Sequence, residues 1–273
     1  MTPKLKDVLK ILDGMAPFST AEEWDNPGLQ AGFPSDEIKK ILIALDPTIG
    51  ALQRAGERNA QLLLTHHPLI FKGLTSINPD IYPGDVIVGA IKSGISVVAV
   101  HTNLDVARGG INDILARKIG LKDMEALLMK ANASDRLDGL GRIGDLPEGM
   151  SLAAVARIVM DAVGSTGLMV MGSPDRDIQR IAILGGAGGS ELSHASEKGA
   201  DLYITGDIRH HEALMAQTLG LALIDAGHFN MERAAMHVFA NDLRDRMKGL
   251  NLDVVVEIFE DEKAPMRYVD RKA

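Results

Sequence analysis

A chain of 273 residues with 46% hydrophobic and 24% charged residues has the composition of a folded globular protein, which excludes the disordered and fibrous classes. The formal net charge of -8 weighs against extended contact with a nucleic-acid backbone. With no cysteine the chain forms neither a disulfide nor a thiolate ligand, so any metal must be held by His, Asp or Glu.

In chain order, MTPKLKDVLKILDGMAPF has amphipathic helical spacing broken by Asp7 and Asp13, not the uninterrupted apolar core of a signal peptide. No later apolar run reaches the roughly 20 residues that span a bilayer. The absence of cysteine fits a reducing compartment, and a cytoplasmic location is expected. WDNPGLQ (24–30) reads as a turn fixed by Trp24 and Asp25. Residues 38–65 then read as strand, Pro-bearing turn, helix and strand, a βαβ unit. Its last strand, LLLT, ends in His66 and His67. Neighbouring side chains diverge inside a strand, but at its end the backbone can turn and aim both rings at one point. A third strand, ISVVAV (95–100), closes on His101, Thr102, Asn103, Leu104 and Asp105.

Residues 130–150, KANASDRLDGLGRIGDLPEGM, are rich in Gly and Asp and read as a crossing between lobes. Residues 178–205 then match residues 38–65 at a gapless offset of 140, with nine of 28 positions identical. This second copy contains GGAGGS (185–190), which reads as a strand-to-helix turn with Ser190 as N-cap rather than as a phosphate cradle, since the lysine of a P-loop is missing. LALIDA (221–226) is its third strand and closes on Gly227, His228 and, four residues later, Glu232. A helical pattern from Met231 to about Lys248 and a last strand, DVVVEIF, complete the chain; that strand is expected to return to the first sheet. The reading is an α/β protein with largely parallel sheets, its two similar lobes arising by internal duplication. The first lobe takes residues 1–128 and 228–273, and the second 129–227.

Ligands of parallel sheets collect beyond the carboxyl ends of the strands, where the polar groups of this chain fall. His228 and Glu232 are one helical turn apart and share a face. With His66, His67 and Asp105 they make three imidazoles and two carboxylates, donors suited to Zn, Mn, Fe, Co or Mg. Five ligands fit two ions bridged by a carboxylate. A single histidine ordinarily has a structural or surface role; here six of eight (His66, His67, His101, His210, His211 and His228) lie at or just beyond strand ends. His101 is a candidate sixth ligand, proton carrier or orienter of ligands, and the orienting role is the one favoured. Asp207, His210 and His211, at the position matching Thr65-His66-His67, either face a substrate or cap a helix. Asn103, Arg108 and Asn112 are candidate substrate contacts.

WDNPGLQ, LTHHPLIF (64–71), VHTNLDVARGGIND (100–113), ITGDIRHHEA (204–213) and DAGHFNMER (225–233) resemble, in order and spacing, the family of Ngg-one-interacting factor three, whose bacterial members are often named type 2 GTP cyclohydrolase I. Pro27 stands where that family usually has Val. The resemblance implies two metals on His66, His67, Asp105, His228 and Glu232, a site between two α/β lobes, a short form without the inserted domain of some members, and a toroidal homohexamer. The function expected is a dinuclear metal-dependent hydrolase of a small molecule, with His101 or His211 as the catalytic proton carrier. GTP is one candidate substrate; phosphoesters and other amide or amidine bonds are equally open, and no aromatic pair for stacking is evident in the sequence. The alternative is a metal-stabilised oligomeric binding or regulatory protein without turnover. Neither extended nucleic-acid binding nor a membrane partner is expected.

Overall fold

The computed structural model describes residues 1–130 and 133–266. The chain divides into two compact units, Met1–Ala107 with Met236–Glu262, and Arg108–Ala235 with the segment from Lys263. The first unit begins with α1 (Leu5–Met15), which buries Leu5, Val8 and Leu12, the spacing that sets one apolar stripe on a helix. Then come β1 (Gly28–Ala31), β2 (Lys40–Ala44), α2 (Ile49–Glu57), β3 (Leu62–Thr65), α3 (Gly84–Ser93), β4 (Ser96–Ala99) and the short α4 (Thr102–Val106). The Thr48 hydroxyl caps α2 by accepting from the Ala51 N–H, and α2 and α3 pack Ala51, Leu52, Ala55, Val86, Ile87 and Ala90 into one core cluster with Leu42, Leu63 and Val97.

The second unit contains α5 (Ile111–Lys118), β5 (Lys122–Met129), β6 (Gly139–Ser151), α6 (Leu152–Val163), β7 (Met169–Met171), β8 (Asp177–Ala187), α7 (Leu192–Glu197), β9 (Leu202–Gly206), α8 (His210–Thr218) and β10 (Ala222–Asp225). Helix α9 (His228–Gly249) begins in this unit and ends in the first, where β11 (Val255–Ile258) follows. Among the described residues no helix is long and apolar enough to cross a membrane.

The first sheet has the order β1-β4-β3-β2-β11. Its β11, β2, β3 and β4 run parallel and β1 is an antiparallel edge, so the last strand does return to this sheet. Every residue of β3 and β4 is buried, as near-continuous apolar runs of a parallel sheet require.

The second sheet, β5-β6-β8-β9-β10-β7, is mixed. Only β8, β9 and β10 are parallel, while β5, β6 and β7 join antiparallel. Strand β6 takes up the second half of the stretch read as an interlobe crossing and ends one residue beyond it; residues 131 and 132 of that stretch fall outside the described residues. Its Gly, Asp and Pro content is poor in strand-forming side chains, yet glycine is what its pairing needs. A Cβ on Gly139 would lie 1.9 Å from the Leu128 carbonyl oxygen across the ladder.

The duplication extends to strand register. Ile41 on β2 lies beside Leu62 on β3, and Ile181 on β8 beside Leu202 on β9, both shifted by the same 140 residues. The antiparallel edges match too: Leu29 on β1 pairs with Val98 on β4, and Val170 on β7 with Ile224 on β10. The units divide at 107/108 and 235/236 rather than at the expected 128/129 and 227/228. Helix α5 packs on β6 and β8, burying Ile111, Ile114 and Leu115, so it belongs to the second unit.

Candidate metal centre

In the first unit the ladder continues past β3: the His66 N–H donates to the Ala44 carbonyl and the His67 N–H to the Leu45 carbonyl. The Thr65 hydroxyl donates to the His67 carbonyl at 2.7 Å, turning the chain sharply enough to aim both rings. His66 Nδ1 lies 2.8 Å from the Val100 carbonyl oxygen. A carbonyl only accepts, so in the neutral ring the proton sits on Nδ1 and the lone pair on Nε2. His67 Nδ1 meets Asp46 Oδ1 and His101 Nδ1 meets Asp25 Oδ1, each at 2.8 Å, which assigns the same tautomer. One donor atom from each of His66, His67 and His101 lies within 4.8 Å of the others. Asp105, buried on α4, places Oδ1 3.7 Å from His66 Nε2.

Burial pushes the Asp25 carboxyl up, but hydrogen bonds from His101 and Thr102 outweigh it and bring it down to about 2. It is therefore an ionised acceptor at neutral pH. Asp25, expected only to fix a turn, is thus the orienter of His101. Asp46 and the Val100 carbonyl were not foreseen, although Asp46 follows β2 and the strand-end rule that found the histidines applies to it as well. Because such outer partners fix ring orientation and raise ligand basicity, Asp46→Ala is expected to weaken metal binding about 10- to 100-fold with little change in melting temperature, measured by competitive metal titration.

In the second unit His228 is the first residue of α9 and Glu232 lies one turn on, 3% exposed. His228 Nδ1 is 2.8 Å from Asp207 Oδ2, so Asp207, left open between facing a substrate and capping α8, orients a histidine; the N-cap of α8 is Arg209. Asp207 does this from the left-handed region, φ 56°, a costly conformation held where geometry matters. With its Nδ1 proton committed, His228 turns Nε2 toward Glu232 Oε2 at 3.0 Å. A ring lone pair and a carboxylate at that distance require positive charge between them, a proton or a metal cation. This donor set fits a metal.

The glycine run supplies space for that carboxylate. Gly186, next to last in β8, stands at the sequence offset where the first unit has Asp46, with φ +74°, and a Cβ there would lie 2.5 Å from Glu232 Oε1. Gly186→Ala is expected to cost about 1–2 kcal/mol from the backbone alone and to weaken metal binding by displacing Glu232. Thermal melting with and without chelator separates the two effects. Ser190 is not the N-cap of α7, which is Glu191; the chain needs another short turn between β8 and α7.

Other candidates have structural partners. Asn103 is buried between the Ala16 carbonyl and the His101 N–H, Asn112 accepts from the Gly185 N–H, and Arg108 pairs with Asp135 and Asp138. These bonds anchor the loop. His210 and His211 are exposed on the first turn of α8, and among the described residues neither falls in a cluster of donor atoms close enough to share an ion.

A family model described as Duf34/NIF3 (NGG1p interacting factor 3) matches residues 3–265. A Clostridium perfringens protein named GTP cyclohydrolase 1 type 2 homolog is 33% identical over 97% of this chain and all of its own length. A Helicobacter pylori protein named GTP cyclohydrolase 1 type 2 is 33% identical over 94% of this chain and 96% of its own. The crystal structure of a Bacillus cereus protein related to NIF3 superposes with a TM-score of 0.92 at 26% identity, covering 98% of this chain and 100% of that one.

Proposed function

The chain belongs to the Duf34/NIF3 family, and from that premise we propose that it is a divalent-metal-dependent hydrolase of a small, nucleotide-like molecule. The ligands we assign are His66, His67, Asp105, His228 and Glu232, serving one dinuclear centre. The observation that carries the reading is the fixed tautomer of the histidines, each with Nδ1 against a backbone or carboxylate oxygen. Such anchored imidazoles favour a metal site over surface or core histidines. Ions bound there (Zn, Mn, Fe, Co or Mg) would supply Lewis acidity and a water acidified toward neutral pH.

The protein's own groups do the rest. The Val100 carbonyl, Asp46 and Asp207 hold the rings in orientation. His101 accepts a proton at Nε2, while Asp25 stabilises the imidazolium from Nδ1, the division of labour of a histidine–carboxylate pair. His211 is the second candidate for proton carrier. Loss of the acidic limb of the pH–rate profile, the limb set by protonation of a general base, in His101→Ala but not in His211→Ala would assign the role to His101. GTP is the first substrate to try, given the names of the Clostridium and Helicobacter relatives. We also propose a homohexamer in the cytoplasm, to be tested by analytical ultracentrifugation and cell fractionation.

The test is metal content per chain by plasma mass spectrometry, together with a hydrolysis screen over nucleotides and phosphoesters. About two equivalents, with turnover lost on chelation and restored on reloading, is the expected result. Chelation that lowers the melting temperature without any turnover to lose would replace this reading with a metal-stabilised binding protein.

A further inference from the structure

Beside the histidines of the first unit lies an aromatic pair that the sequence did not reveal. The rings of Trp24 and Phe71 have centroids 5.6 Å apart at an interplanar angle of 50°. Both also approach His101, at 5.9 Å and 6.3 Å with edge-on geometry. Trp24 is 58% exposed and Phe71 47%. The tilt means that the two rings do not cover each other's faces as a stacked pair would, so flat apolar surface stays in water at the rim of the donor cluster.

These side chains sit on a braced frame. Asp25, next to Trp24, has a fully buried side chain that accepts from His101 Nδ1, the Thr102 N–H and the Thr102 hydroxyl. Ile70, next to Phe71, is gripped at both backbone groups: its N–H donates to Gln30 Oε1 at 3.1 Å and its carbonyl accepts from Asn26 Nδ2 at 2.7 Å. Gln30 Nε2 returns to the Asn26 carbonyl at 2.8 Å. The loop bearing Trp24 is thereby tied both to the one bearing Phe71 and to the His101 turn. Rigid, exposed aromatic faces bind flat rings at low entropic cost and with little dependence on ring identity.

We propose that Trp24 and Phe71 form a subsite for a flat heteroaromatic ring of nucleobase size, placing the remainder of the substrate against the His66, His67 and His101 cluster. This deepens the hydrolase reading and rests on it for the word substrate, but the ring binding is independently measurable. Position 24 holds the only tryptophan, so indole fluorescence reports this subsite alone.

The experiment titrates guanosine and thymidine into metal-loaded and chelator-treated protein, with ribose 5-phosphate as the ring-free control. Saturable quenching by the nucleosides and none by ribose 5-phosphate is expected. Phe71→Ala should weaken the nucleosides about ten-fold or more, and Phe71→Tyr should retain them. Circular dichroism verifies that both variants are folded. Nucleosides no more effective than ribose 5-phosphate, or a Phe71→Ala protein of unchanged affinity, would overturn the proposal. Ring binding with no turnover of any substrate would remove the hydrolase reading and leave the subsite standing; turnover without ring-dependent quenching would do the reverse.

Discussion

His66→Ala and Glu232→Ala proteins are each expected to lose more than about 100-fold in metal affinity, beyond the 10- to 100-fold typical of losing an outer partner. His66 is fully buried with its ring held by the Val100 carbonyl, so its Nε2 is a pre-oriented donor that alanine removes outright. Glu232 faces His228 across 3.0 Å, and without it the His228 Nε2 loses its anionic co-donor. Isothermal titration with Zn and Mn, supported by plasma mass spectrometry of the purified variants, reads the effect. If either variant binds metal as the wild type does, that residue is not a ligand. If both do, the assignment of the centre fails.

Asp113→Ala is expected to destabilise the protein by about 3–5 kcal/mol, the cost of leaving a buried charge without its partner. Arg142 is fully buried and Asp113 4% exposed. The guanidinium donates from Nε to Asp113 and from Nη1 to the Gly139 and Gly141 carbonyls, while Asp113 also accepts from the Gly109 N–H. Arg142 Nη2 has no hydrogen-bond partner among the described residues, so the pair is incompletely compensated. The double variant Asp113→Leu with Arg142→Met should therefore recover most of the loss, because replacing both charges removes the desolvation penalty that replacing one exposes. Denaturant melts of the three proteins test this; a double variant as unstable as Asp113→Ala would mean that the pair is worth more than apolar packing.

The parts legible in the sequence were those that rest on short-range pattern. Leucine and valine runs announced β3 and β4, the gapless repeat announced the matched strands, and donor types at strand ends picked out His66, His67, Asp105, His228 and Glu232 as candidates. What could not be read depends on chain segments brought together by folding. Asp25 reaches His101 across 76 residues, Asp207 reaches His228 across 21, and Trp24 meets Phe71 only because Asn26, Gln30 and Ile70 tie their loops. Strand β6 was hidden for a different reason: its glycines admit a neighbouring backbone, and single-residue preference scores that use of glycine as a turn. Gly186 is the same lesson at the centre, a residue whose contribution is the room it leaves.

The position of β11 bears on how the chain is made. The first unit is not finished until residues 255–258 pair with β2, after every strand of the second unit's sheet has been synthesised. During that interval on the ribosome, β2 presents an unpaired edge with Ile41, Leu42 and Ile43, the type of exposed strand that seeks other chains. The second unit's strands are all available earlier. Its folding can run ahead while the first waits for its last strand, and a chain released short of Val255 would carry that open edge permanently.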